Sequence, residues 1–422
     1  MTREEHYVKI KALAEKNNQL LLKLPTGFGK TKISLDILKI WKDRPNLFGG
    51  FTNNRRKISV LIVIPKIVLI DNWIAEINKW YPDWKEWLTY SFVTYVSFPK
   101  EKPNNYDVII LDECHHFTER CRITIDENPF QNGGLIAMSG TVPKEPRERL
   151  YDTFSNLRSY NISAREAIDD EILPDPTVFL VPLTIDDKVI RHLYVKNPKG
   201  KGEVVVNYPD RFGYMKRKDV KVIIRCTEFQ YYSMIQQDID FWDNFFKRTQ
   251  QPWAKNKWLH LCGDRLKWLA LIKTSVVQRI QSVVTNNRYI TFCSSIEQAK
   301  ELGEYCINSK DKDSYDYLDL FNEGRISNVT AVNVLNEGLN VTSCQIGIFA
   351  GLNSSEVITK QRLGRLLRHK KPLIILPYYV CTRDEEIVQK MSKDYNPELI
   401  RTIQLKDVGK EIINFINNET DN

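Results

Sequence analysis

The chain has 422 residues, 42% of them hydrophobic and 27% charged, with 61 Lys and Arg against 53 Asp and Glu and a formal net charge of +8. That length accommodates two or three cores, and the mild positive excess permits a polyanionic partner without demanding one. The N-terminal MTREEHYVKI is charged from its third residue and no apolar run approaches the roughly 18 residues of a spanning helix, so no membrane partner is expected and a cytoplasmic, or more broadly intracellular, location is. The eight cysteines, scattered from Cys114 to Cys381, contain no CxxC pair, which argues for reduced, mostly buried thiols. Cys114, His115, His116 and Cys121 are the tightest metal-like group, and a zinc site there is disfavoured.

In chain order, short apolar runs alternate with helical patterns: QLLLKL and then TKISLDILKIW, VLIVIP and then VLIDNWIAEINKW, DVIILDE, and GLIAMSGT. This is the signature of a mostly parallel sheet wrapped by helices. Trp73, Ile77 and Trp80 recur on one helical face and read as core. From Lys196 to Arg225 nine basic residues face three acidic ones. The runs EVVVNY and VKVIIR, separated by PDRFGYMKRKD, read there as a basic β-hairpin. From Glu228 to Ile280 the pattern is helical and rich in aromatic rings, read as the packing of a small helical insert in preference to a base-stacking platform. A second alternating series follows in RYITFCSS, TAVNVL, QIGIFAG and PLIILPYYV. The expected fold is therefore α/β, with two parallel-sheet domains in tandem. Residues 1–172 form the first and 173–422 the second, the latter including a basic hairpin and helical insertion over 196–285. The closing NNETDN reads as a frayed tail.

Three stretches carry chemistry. In PTGFGKT, Pro25 to Thr31, a turn leads from a buried strand into a helix, and Gly27 and Gly29 let its amides converge because neither has a Cβ. Lys30 is placed to reach the β- and γ-phosphates of a nucleotide and the Thr31 hydroxyl to hold Mg²⁺. The usual eight-residue pattern starts with Gly, and Leu24 stands there instead. Phe28 is expected to point out of the phosphate nest. In VIILDECHHF, Asp112 and Glu113 follow four apolar residues and so sit at the C-terminal end of a buried strand, where α/β sheets bind ligands. Asp112 suits Mg²⁺, and Glu113 suits proton abstraction from an attacking water. In QRLGRLLR, Gln361, Gly364 or Arg365, and Arg368 share one helical face, so two guanidiniums can meet one polyphosphate.

These motifs resemble those of superfamily 2 helicases, whose motif I reads PTGxGKT and motif II DExH. The resemblance runs in order through VIPK (Val63 to Lys66) as Ia, VTYVS (Val93 to Ser97) as Ib, SGT (Ser139 to Thr141) as III, ITFCSS (Ile290 to Ser295) as IV, NEGLN (Asn336 to Asn340) as V and QRLGRLLR as VI. Glu337 is similar to the branch that holds phage branch-migration helicases (UvsW-like), XPB-type helicases and restriction-enzyme motor subunits. The resemblance implies two RecA-like domains and hydrolysis of ATP with Mg²⁺ at the seam between them. Pro25, Thr26, Gly27, Gly29, Lys30, Thr31, Gly338 and Asn340 would cradle the nucleotide, and Gln361, Arg365 and Arg368 would reach it from the second domain. His115, Ser139 and Thr141 would couple closure to the polymer. The family often places an adenine-reading Gln where His6 stands here, with Arg3 able to stack on the base. Only about fifty residues follow motif VI, so an appended nuclease, and with it a complete restriction subunit, is not expected. SSIEQAKEL also reads simply as a helix start, with Ser294 and Glu297 spaced as a capping box.

The family's polymer groove implies backbone contacts from Lys66, Thr94, Ser97 and Ser294, which position a strand without reading its sequence. Lys199, Lys201, Arg211, Lys216, Arg217 and Lys218 on the basic segment are the candidates for gripping or wedging a duplex. Each is also an ordinary surface residue, and charge on an exposed strand edge keeps it soluble. The expected partner is nucleic acid, with duplex or branched DNA favoured, RNA as the alternative, and an ATP-gated clamp with little turnover as the reading from another class.

Overall fold

The computed structural model describes residues 1–43, 57–130, 133–214, 217–332, 341, 344–353, 369–393 and 395–420. In the first half, β1 (Gln19–Lys23), β2 (Ile58–Ile64), β3 (Leu88–Thr94), β4 (Val108–Asp112), β5 (Gly134–Ser139) and β6 (Arg158–Asn161) form one sheet in the order β3-β2-β4-β5-β1-β6, every pair parallel. The inner strands are continuous apolar runs because helices cover both faces, so no residue alternates toward water. The register puts Lys23 level with Ser139 and Asp112 level with Met138. Three strand ends therefore come out side by side at the C-terminal edge. Helix α1 (Arg3–Ala14) starts from a reciprocal cap between Thr2 and Glu5. Helix α2 (Lys30–Lys42) leaves the turn after β1, and α3 (Leu69–Trp80) follows β2.

In the second half, β7 (Thr177–Leu183), β11 (Tyr289–Phe292), β12 (Cys306–Ile307), β13 (Asn328–Ala331), β14 (Ile346–Phe349), β15 (Leu373–Tyr379) and β16 (Ile400–Thr402) make a seven-stranded sheet ordered β12-β13-β11-β14-β15-β7-β16, again parallel throughout. The helix after β11 is capped by Ser295, whose Oγ accepts from the Gln298 amide, one residue later than the Ser294 and Glu297 spacing suggests. Beneath this sheet, Lys273 and Asp384 form a fully buried ion pair at 2.8 Å, with the ammonium also donating to the Pro377 carbonyl.

Between β7 and β11 lies a separate unit. Its strands β8 (His192–Lys196), β9 (Glu203–Asn207) and β10 (Lys221–Cys226) form a sheet ordered β8-β10-β9, with β10 antiparallel to β8 and parallel to β9. The expected hairpin is thus corrected. EVVVNY and VKVIIR do pair, but in parallel, because the segment between them crosses over instead of turning back. A short 3₁₀ helix, Tyr208–Gly213, occupies that crossover. Two long helices, Glu228–Thr249 and Pro252–Ile272, complete the unit and fold back on one another through Gln250, whose φ is 53°, and Gln251.

Candidate nucleotide site and nucleic-acid surface

The turn after β1 is held from three sides. Gly27 and Gly29 have φ of 88° and 101°, the left-handed region that side chains avoid. A Cβ on Gly29 would stand 2.2 Å from the Tyr7 hydroxyl, which donates to the carbonyls of Phe28 at 3.1 Å and Gly29 at 3.3 Å. The Phe28 ring is fully buried and meets the His6 and Tyr7 rings edge-on. From the sheet side, the Leu24 amide donates to the Ser139 carbonyl, which ties the turn to the end of β5.

The acidic pair stands beside this turn. Glu113 has φ 49° and ψ 56°, a strained conformation for a residue with a side chain, and it swings its carboxylate toward the turn. Lys30 Nζ lies 3.1 Å from Glu113 Oε1. On the other oxygen, Ser139 Oγ donates to Oε2 at 2.9 Å, and His115 Nδ1 is 3.4 Å from it and 2.9 Å from Ser139 Oγ. Ser139 Oγ also accepts from the Thr141 amide at 3.3 Å. Burial works to raise the Glu113 carboxyl, but Lys30 and His115 outweigh it and hold the group well below the ordinary carboxylate range. Asp112 goes the other way, pushed up to about 6 by burial and by the neighbouring Glu113 charge, against the pull of Lys30 and a bond from Trp73. The arrangement can therefore neutralise added negative charge through Lys30, ligate a cation through Asp112, and present an ionised base in Glu113.

Three further residues shape this site and were invisible as such in the sequence. Trp73 is core by burial, as its spacing implies, yet its Nε1 donates to Asp112 Oδ2 at 3.0 Å. Tyr95 donates to the Asp112 carbonyl at 2.8 Å, and Tyr7 holds the turn. The only available signal was that buried Trp and Tyr seek a partner for their polar tip. Trp80, read with Trp73 as core, is instead 40% exposed and lies under Lys32 and Lys79.

His6 is corrected as a reader of the base. It is buried, and its two ring nitrogens are engaged at 2.9 Å by the Tyr160 hydroxyl and by Asp170, leaving neither for a ligand. Arg3 donates to the Ile172 carbonyl at 3.2 Å from an exposed position. Pro25 is buried and Thr26 and Thr31 are half-buried in the turn. Gly338, Asn340, Gln361, Arg365 and Arg368 lie outside the described residues, as do Glu337, Gly364 and Lys216.

Of the residues assigned to the polymer, Lys66, Thr94 and Ser97 come together, because β2 and β3 pair with Ile64 level with Thr94 and all three follow or end those strands. Thr94 Oγ1 donates to Ser97 Oγ at 3.3 Å and accepts from its amide. Ser294 stands at the C-terminal end of β11 with its amide on Gln298 Oε1. Lys199, Lys201 and Lys218 are exposed on the small unit. Arg211 is corrected: it is 5% exposed, with its guanidinium carbon 3.5 Å from the Tyr208 ring centre and 3.9 Å from that of Phe212, and it caps the Tyr208 carbonyl. Stacking between two rings makes it part of the crossover's packing. Arg217 is exposed but paired with Asp219. Among the described residues no group of three or more His, Cys, Asp and Glu side chains is arranged to hold a metal, and the eight thiols are free.

Comparison with known proteins agrees with this geometry. Residues 3–144 match the family model of the type III restriction enzyme res subunit, and residues 272–370 match the helicase conserved C-terminal domain. The chain is 23% identical over 402 residues to the DNA 3'-5' translocase XPB2 of Sulfurisphaera tokodaii, covering 90% of this chain and 80% of that protein. Its fold is similar to that of S. cerevisiae Dbp5 bound to RNA and ADP BeF3, with a TM-score of 0.54 at 12% identity over 95% of this chain and 89% of that one. It is similar as well to the ATP-dependent type ISP restriction-modification enzyme LlaBIII bound to DNA, with a TM-score of 0.53 at 14% identity over 94% of this chain and 31% of that one. With a phosphate-type turn and an acidic pair at the ends of a RecA-like sheet, a second such sheet later in the chain, and both helicase domain models matched in order, the chain belongs to superfamily 2 of the helicases and translocases.

Proposed function

We propose that this protein is an ATP hydrolase that drives movement along duplex or branched DNA. The observation that carries the reading is the unbroken chain of contacts from Lys30 through Glu113 to Ser139 and His115, which joins the turn after β1 to the ends of β4 and β5. A triphosphate with Mg²⁺ suits this donor set. The left-handed glycines open the turn's amides, Lys30 supplies charge for the β- and γ-phosphates, and Thr31 and Asp112 would hold the cation. When bound, Mg²⁺ would offset charge on the phosphate oxygens. Binding phosphate draws Lys30 off Glu113 and frees Oε1 to accept a proton from water. Ser139 and His115 feel that change directly, and Thr141 with them, which suits them to relay nucleotide state to the polymer side.

The remainder of the machine is assigned by family likeness. Domain one spans 1–172 and domain two 173–422, the latter carrying the unit at 196–285. That likeness assigns Gln361, Arg365 and Arg368 to the γ-phosphate and Gly338 and Asn340 to the nucleotide. Lys66, Thr94, Ser97 and Ser294 line the track for a phosphate backbone. DNA is favoured over RNA because the translocase relative is named for DNA and aligns along most of the chain. The protein works inside the cell, where its polymer is.

The test is phosphate release measured with single-stranded, duplex and branched DNA and with RNA. Stimulation greatest with duplex or branched DNA, and abolished in Lys30→Ala, is the expected result. Tight ATP-dependent binding without release would replace the motor with a clamp, and stimulation by RNA alone would move the substrate.

A further inference from the structure

The turn between the two long helices of the inserted unit carries more aromatic surface than its packing uses. Between Phe241 and Trp258, six of eighteen residues are Phe or Trp, four are Lys or Arg, and one is acidic. Phe241, Trp242, Phe245 and Trp253 form one cluster, with Trp242 5.3 Å from Phe241, 5.6 Å from Phe245 and 5.6 Å from Trp253 between ring centres. None of the four is buried, and Phe241 and Trp253 are 55% and 54% exposed. The unit's own core, built on Tyr194, Val222, Ile224, Met234 and Ile239, takes in none of these four rings. Within 241–258 the only buried residue is Ala254. Two large rings left about half in water, beside two that are only partly covered, carry a solubility cost that the fold does not require, and such a patch marks a contact surface.

The charges around the patch say what kind of surface it is. Asp243 is paired with Lys247 at 2.7 Å. Arg248 and Lys257 have no carboxylate partner among the described residues, and Lys255 lies 5.9 Å from the centre of the Phe246 ring. Rings interleaved with cations suit a polyanion that also offers flat aromatic faces. Unpaired nucleotides do so, whereas a duplex keeps its base faces stacked inside. We infer that the tip of this helical hairpin is a stacking platform for unpaired bases, with Phe241 and Trp253 as the exposed rings and Arg248, Lys255 and Lys257 holding the backbone beside them. The inference rests on the nucleic-acid reading above and adds a second contact, separate from the track along the strand ends. It is sequence-tolerant, because every base has a face to stack.

The experiment uses the full chain carrying Phe241→Ala and Trp253→Ala, with Phe241→Tyr and Trp253→Phe as the aromatic-retaining control. Binding is measured to an oligothymidylate and to a blunt duplex of equal length, together with basal ATP hydrolysis and sedimentation. The platform predicts oligothymidylate binding weakened tenfold or more in the alanine variant and restored in the control. Duplex binding and basal hydrolysis should hold. Unchanged oligothymidylate binding in the alanine variant overturns the platform while leaving the motor reading intact. So does a loss of self-association with oligothymidylate binding preserved, which would make the patch a protein-docking face. If the native chain binds neither probe, the nucleic-acid reading falls and the platform with it.

Discussion

The acidic pair and the inserted unit are opposite solutions to the placing of charge. Around Asp112 and Glu113 every polar atom has a neighbour, and the charges are shielded by Trp73, Tyr95 and the sheet. At the tip of the inserted unit's long helices Arg248, Lys255 and Lys257 stand exposed, and Phe241 and Trp253 beside them are half bare. The first region is built so that small displacements change its chemistry. The second is built to be covered by something else. A site that makes and breaks bonds needs its groups held in place beforehand, whereas a surface that grips a polymer of any sequence gains from exposed, independent contacts.

Four variants would sharpen or break that contrast. The largest effect is expected for Glu113→Gln, which removes the base but keeps the shape. Turnover should fall by about 10²- to 10⁴-fold with the unfolding midpoint little changed. Turnover within a few-fold of native would disprove Glu113 as the base. Next, reversing Lys199, Lys201 and Lys218 to Glu should weaken polymer binding by roughly tenfold or more at low salt and flatten its salt dependence. Basal hydrolysis is the control, and binding that does not move would take the small unit off the polymer. Smaller still is Tyr7→Phe, which loses one hydroxyl shared between the Phe28 and Gly29 carbonyls. About 1 kcal/mol is expected, read as a nucleotide affinity lowered about fivefold in equilibrium titration. An unaltered affinity would show that the turn needs no support from α1. Least of all, Arg211→Lys should leave polymer binding as it is and cost about 1 kcal/mol of stability by chemical denaturation, since a lysine cannot stack flat between Tyr208 and Phe212. If polymer binding drops instead, the crossover touches the strand.

The sequence carried the chemistry of the first region well because that chemistry is local. PTGFGKT and DECHH name their own residues, and apolar runs just before them fix which end of the sheet they occupy. Partners from distant segments were not legible. Nothing near Trp73 in the chain announces Asp112, and nothing near His6 announces Tyr160 and Asp170. The inserted unit was misread for a related reason. Two β-rich runs joined by eleven residues fit a hairpin with a long loop or a parallel crossover equally well, and composition does not choose between them. In the structure β8 takes the antiparallel place on one side of β10 and β9 the parallel place on the other. Arg211 reads as a surface cation in the sequence because it falls in the segment between the two runs, where nothing announces that the Tyr208 and Phe212 rings close on it.

Phe28, sunk between His6 and Tyr7, bears on how the proposed motor would transmit force. With that ring anchored from behind, the glycine turn is no free hinge. It and the first helix form one lever, so any swing of the turn on nucleotide exchange would drag α1 along. Through His6 and its grip on Tyr160 and Asp170, the stroke would arrive at the far margin of the first sheet, where the chain departs for the second.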